Sequence, residues 1–361
     1  MKAYWFSLAF LILSFSIFAQ SKSIPLEQAN RITQKTFEEK NFPGMAVAVW
    51  KDGELLMSKG YGYANIKEEI TVDPAKSKFR IGSISKPVTA AALAKLYEAD
   101  AIDLDQPIQT YVPDFPKKKW DINLRQLAGH LAGIRHYKGM EFMSNKYYPT
   151  VEEGLDIFKN DPLLHEPSSK YSYSSYGWNL ISAAIESAAE KPFLAYMEEE
   201  VFEALEMTNT QAEHSNQEID DVVSFYIQTF GKNILAPKVD NSYKWAGGGF
   251  ISTAEDVIKF GVAHLSEGYL QSETLQEWTA TQYTKDGKPT NYGIGWRSGK
   301  DKKNRAWYGH SGGSVGGTSM LLIYPEEKIV VVTLVNLSSA KMGDLAFRLA
   351  NQFLAKASPK N

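Results

Sequence analysis

Two pairs of strand-like segments stand at opposite ends of the chain, and an arrangement of this kind closes one sheet from both ends. Near the start, Gly44-Met-Ala-Val-Ala-Val-Trp50 runs into the turn Lys51-Asp52-Gly53 and on through Glu54 to Gly60, a hairpin pattern. Near the end, Ser319 to Tyr324, a turn around Pro325-Glu326-Glu327, and Ile329 to Asn336 make the matching pair. Helix-like segments lie outside both pairs, Leu26 to Lys40 and about Lys341 to Ala355. Between them, roughly residues 105–240 carry helical periodicity, as in Val151 to Phe158 and Trp178 to Ala189, with loops at Asp161-Pro162 and Glu166-Pro167. The expected fold is α+β: an antiparallel sheet flanked by helices, with an inserted, mostly helical lobe. The cleft between sheet and lobe is the default site.

At 361 residues and 43% hydrophobic, the chain can bury a core without metals or disulfides. It has no cysteine, which excludes disulfides and thiol nucleophiles. A net charge of -3 gives no basic field for nucleic acid. In MKAYWFSLAFLILSFSIFAQ, Lys2 precedes an apolar run to Phe18 and a small residue, Ala19, a signal-peptide layout over residues 1–20. The run is shorter than the roughly 20 residues of a spanning helix. Residues 21–361 are then expected as one exported domain, periplasmic or extracellular, with no membrane association after cleavage.

The segment Phe79-Arg-Ile-Gly-Ser83-Ile-Ser85-Lys86 places a serine and a lysine three residues apart at the start of a helix, hence on one face. A serine hydroxyl is a weak nucleophile until a base takes its proton, and a lysine serves once burial or other cations lower its pKa. The helix start also offers free NH groups to developing negative charge. The bland alternative makes Ser83 a helix cap and Lys86 a solvated first-turn residue. Ser85 is a second serine in the motif, one residue from Lys86, and points elsewhere.

A second segment, Tyr171-Ser-Tyr173-Ser174-Ser175-Tyr176, enters a helix. Tyr173 can move a proton to a leaving group if nearby lysine charge depresses its pKa; otherwise the segment is an aromatic packing cluster. A third, Trp307-Tyr-Gly-His310-Ser311-Gly312-Gly313-Ser-Val-Gly-Gly317, allows close backbone approach and exposed NH groups on a strand edge, or is a flexible turn.

In this order and spacing the three segments resemble the serine beta-lactamase-like superfamily of class C beta-lactamases, D-alanyl-D-alanine carboxypeptidases and related esterases. His130-Leu-Ala-Gly-Ile-Arg-His-Tyr137 and Val239-Asp-Asn-Ser-Tyr-Lys-Trp-Ala-Gly-Gly-Gly-Phe250 look closest to the mitochondrial serine beta-lactamase-like branch of animals. The resemblance implies a beta-lactamase/transpeptidase-like fold with Ser83 as nucleophile, Lys86 as its base or cationic helper and Tyr173 as general acid and base. It assigns the oxyanion hole to the NH groups of Ser83 and Gly313 and substrate contacts to His310, Ser311, Gly312 and Ser175.

Two positions depart from the penicillin-recognising pattern: His310-Ser311-Gly312 replaces Lys-Thr-Gly, and Ser175 replaces the Asn of Tyr-x-Asn. A titratable residue thus stands where a permanent cation would face a substrate carboxylate. His310 is expected there as a neutral donor, the alternative being a cation. Beta-lactam hydrolysis is accordingly disfavoured, and a peptide, peptidoglycan fragment or ester is the expected substrate. The alternatives are a true beta-lactamase and a catalytically silent binding or self-assembling protein. No cofactor is implied. His130 and His136, six residues apart and without an acidic partner at helical spacing, fit no metal motif and are expected in structural roles, as are Tyr243, Lys244 and Trp245 unless they line the cleft.

Overall fold

The computed structural model describes residues 24–354, so the signal-peptide pattern lies outside the described residues. The two ends of the chain share one seven-stranded sheet. Its strands run across the sheet as Ile70–Thr71, Glu54–Asn65, Gly44–Lys51, Ile329–Val335, Gly317–Tyr324, Ala306–Ser314 and Arg297–Lys300. The join is the antiparallel pairing of Gly44–Lys51 with Ile329–Val335, in register from Met45 opposite Val335 to Lys51 opposite Ile329.

Both central strands are mostly apolar, Lys51 and Thr333 apart, because both faces of the sheet are covered. Met45, Val47, Val49, Val331 and Val335 pack with Leu345 and Leu349 of the C-terminal helix Leu345–Phe353 and with the helix over residues 24–39. Ala46, Ala48, Val330, Val332 and Leu334 face the opposite core, which includes Val257 and Phe260 of the helix Ala254–Ala263. Successive side chains on a strand alternate faces, so a hydrophobic run with no alternation is the sequence signature of this two-sided burial.

The lobe contributes helices Val151–Leu155, Tyr176–Ala189 and Phe193–Met197. Within 105–240 there is also a hairpin, Tyr226–Thr229 with Lys232–Leu235. Its turn residues Phe230 and Gly231 both have positive φ, 49° and 75°. That is the backbone a two-residue hairpin turn needs, although Phe-Gly is a weaker turn signal than Asn-Gly. Between sheet and lobe runs Ser85–Glu98, buried on nearly every side as a central helix should be.

Candidate active site

A small sheet delivers Ser83. Phe79–Arg80 pairs with Phe250–Ser252, and the chain then turns through Gly82 into the 3-10 turn Gly82–Ile84 and the central helix. Gly82 has φ 51°, and a Cβ on it would come within 2.8 Å of Gly313 N. A Cβ on Gly312 would lie 2.0 Å from the Ile81 carbonyl oxygen, which instead accepts a hydrogen bond from Ser319 Oγ at 2.7 Å. The two glycines therefore let the nucleophile turn and the strand Ala306–Ser314 touch backbone to backbone. Arg297–Lys300 pairs with that strand only up to Gly309, so the stretch His310–Ser314 keeps an edge that no described strand covers. The backbone of Gly82, the residue before Ser83, thus lies against that of Gly313, which brings together the two segments whose NH groups would serve as oxyanion donors.

Lys86 is fully buried. Its Nζ lies 3.0 Å from Ser83 Oγ, 3.1 Å from Ser175 Oγ, and in contact with the Gly247 carbonyl oxygen. Burial, and then the positive charges of Lys244 and Arg297, hold its pKa well below the usual lysine value. A buried amine that sheds its proton readily is a base, and it sits one hydrogen bond from a serine hydroxyl. The solvated reading of Lys86 is excluded. Ser85 is also buried, but its Oγ accepts from the Phe250 N–H, away from Lys86.

Tyr173 donates its hydroxyl to Ser83 Oγ at 2.9 Å. The expected depression of its pKa does not occur: burial raises it above the ordinary phenol value and outweighs the opposing Ser83 hydrogen bond and Arg297 charge. Tyr173 therefore rests as a neutral phenol that carries a proton it can give to a leaving group. His130 and His136 hold it in place, with ring centroids 4.2 and 5.6 Å from the Tyr173 ring. Their Nδ1 atoms accept the backbone N–H groups of Ser174 and Ser175. These acceptor roles require neutral imidazoles, and burial depresses both pKa values, that of His136 to about 4. Among the described residues no group of three metal-ligating side chains converges.

His310 departs from the expected substrate-facing donor. It is 1% exposed, and burial followed by the Lys86 and Arg297 charges keeps its pKa well below normal. Its Nδ1 lies 2.7 Å from the Ser311 carbonyl oxygen and therefore carries the proton; Nε2, 2.8 Å from the Tyr292 hydroxyl, accepts. Both ring nitrogens are spent inside the protein, so His310 offers neither charge nor donor to a substrate. Ser311 and Gly313 are exposed on the strand while Gly312 is buried.

Arg297 lies in no motif and carries no signal in the sequence. Its guanidinium carbon stands 5.7 Å from the Tyr173 ring centroid and 5.8 Å from that of Tyr292. Its Nε is buried without a hydrogen-bond partner, and it forms no ion pair among the described residues. The permanent cation absent from position 310 is thus present beside the same cleft, on the neighbouring strand.

With this geometry in view, known proteins resemble the chain in sequence and in fold. The family model described as Beta-lactamase matches residues 29–355. The human serine beta-lactamase-like protein LACTB, mitochondrial, is 30% identical, over 91% of this chain and 79% of its own length. Among solved structures, the octameric penicillin-binding protein homologue from Pyrococcus abyssi superposes with a TM-score of 0.79 at 24% identity, covering 91% of this chain and 77% of that one. A D-stereospecific amidohydrolase from a Streptomyces species gives 0.76 at 20% identity, covering 90% and 99%.

Proposed function

Because the chain belongs to the beta-lactamase family, we propose that it is a serine hydrolase working through a Ser83 acyl-enzyme on a peptide or ester. The observation that carries this is the convergence on Ser83 Oγ of Lys86 Nζ at 3.0 Å and the Tyr173 hydroxyl at 2.9 Å. Lys86 takes the Ser83 proton as Oγ bonds to the substrate carbonyl carbon, and the oxyanion rests on the NH groups of Ser83 and Gly313. As the bond to the leaving group breaks, that group takes the Tyr173 phenol proton. The phenolate is stabilised by the Lys86 ammonium and by Arg297. Water then attacks the acyl carbon, with the proton transfers run in reverse.

Arg297 supports a narrower substrate class. An unpaired guanidinium beside the proton donor favours a carboxylate on the leaving-group side, as at the C-terminus of a short peptide. The structural likeness to a D-stereospecific amidohydrolase fits a D-residue there. Hydrolysis of a peptide ending in D-alanine, compared with its C-terminal amide and its L-epimer, tests this: preference for the free D-acid supports it, and equal rates for acid and amide count against it. The location we propose is outside the cytoplasm, on the pattern of residues 1–20. A mature N-terminus at or next to Gln20, read by mass spectrometry from native cells, supports export.

A further inference from the structure

A second lysine stands buried beside the first. Lys244, 2% exposed, closes the 3-10 turn Ser242–Lys244 and leads into the helical turn Trp245–Gly248, whose Gly247 carbonyl accepts from Lys86. Its Nζ lies 4.2 Å from the ring centroid of Phe142, 5.1 Å from that of Tyr243 and 5.4 Å from that of Tyr137. Among the described residues its ammonium forms no ion pair and no hydrogen bond. A cage of aromatic faces attracts an ammonium through the ring quadrupole without supplying a counter-charge. No direct ion pair therefore neutralises the cation at its own site.

We propose that Lys244 is a positioning residue for the base: its ammonium, caged by three aromatic rings one helical turn from the carbonyl that holds Lys86, keeps Lys86 unprotonated. The proposal rests on Lys86 being the base of the Ser83 reaction. Other groups act on the two lysines. Lys86 faces Ser83, Tyr173 and Ser175, feels the charge of Arg297, and lies near the neutral imidazoles of His130, His136 and His310. Lys244 feels Arg80, which opposes its charge, and Glu213 and Asp240, which favour it. Its own pKa is lowered to about 7, by burial first, so it is charged in the acid range where Lys86 would otherwise recover a proton.

The test is the pH dependence of kcat/KM for a neutral ester in the full chain, with melting temperature recorded alongside. Lys244→Met keeps the volume and removes the charge; the acid limb is expected to move up by roughly one pH unit, the scale of a nearby buried charge. Lys244→Arg keeps the charge and is expected to leave the limb at its wild-type position. A folded Lys244→Met or Lys244→Gln variant with a wild-type limb overturns the proposal, as does a Lys244→Arg variant shifted as far as Lys244→Met. If Lys244→Met is too unstable to assay, Lys244→Gln supplies the same comparison. Failure of the underlying reading shows separately: a Lys86→Ala variant with wild-type activity removes the premise and the proposal with it.

Discussion

Lys86 Nζ stands 3.0 Å from Ser83 Oγ with none of the lysine exposed to solvent. Burial is the larger cause of its lowered pKa and the Lys244 and Arg297 charges add to it, so the base is defined by its surroundings rather than by its motif alone. Its protonated form is inactive in this account. Activity on a neutral ester should therefore fall as pH drops through the Lys86 pKa and hold steady above it until another group titrates. A kcat/KM profile that shows no acid limb at any pH where the protein stays folded contradicts this.

Lys86→Met and Tyr173→Phe should each lower the acylation rate by roughly 100 to 10,000-fold, the usual contribution of a positioned acid or base. The double variant should lose far less than the product of the two, because both groups act on one oxygen atom. Stopped-flow acylation of the four proteins measures this, and strict multiplicativity refutes a shared role at Ser83.

Arg297→Gln should raise KM for a substrate with a free carboxylate at least about tenfold while changing the matched neutral ester much less, as loss of a charge-assisted contact predicts. Measurement on the alkaline plateau keeps Lys86 titration out of the comparison. His310→Gln, by contrast, should affect acid and ester alike, because both nitrogens of the native ring are held by Tyr292 and Ser311. A carboxylate-selective loss in His310→Gln would return the binding role to that residue.

The neutral imidazole of His136 ties stability to pH. His136 has a folded pKa of about 4, below the unfolded value near 6.5, so below that value the unfolded chain binds the extra proton. Its contribution is complete above the unfolded pKa and is lost as pH falls from about 6.5 towards about 4. Thermal melts across that window should show a falling Tm, and His136→Gln should flatten the fall. Equal slopes in both proteins would show that His136 is protonated in the folded state.

What was legible in the sequence follows from which forces are local. The terminal strand pairs were visible because strands buried on both faces, such as Gly44–Lys51 and Ile329–Val335, leave apolar runs with almost no polar residue in them. Ser83 and Lys86 were visible because three residues of helix set their distance. Arg297 was not, since its place beside Tyr173 comes from the pairing of Arg297 with Gly309, a contact between residues with no local pattern. The state of His310 was hidden for a similar reason: its Tyr292 partner lies on a loop whose approach only the packed fold defines. Tyr173 is placed by its motif, but its proton affinity is set by burial, which outweighs the nearby charge and has no mark in the local sequence.

The central claim is that Ser83 becomes acylated. Incubating the protein with a fluorophosphonate and mapping the adduct by peptide mass spectrometry tests it most directly, with Ser83→Ala and Ser85→Ala as partners. One adduct is expected, on Ser83, absent in Ser83→Ala and retained in Ser85→Ala, with Ser83→Ala melting within a few degrees of the native protein because only a hydroxyl is removed. An adduct on Ser85 or elsewhere, or undiminished labelling of folded Ser83→Ala, would contradict it.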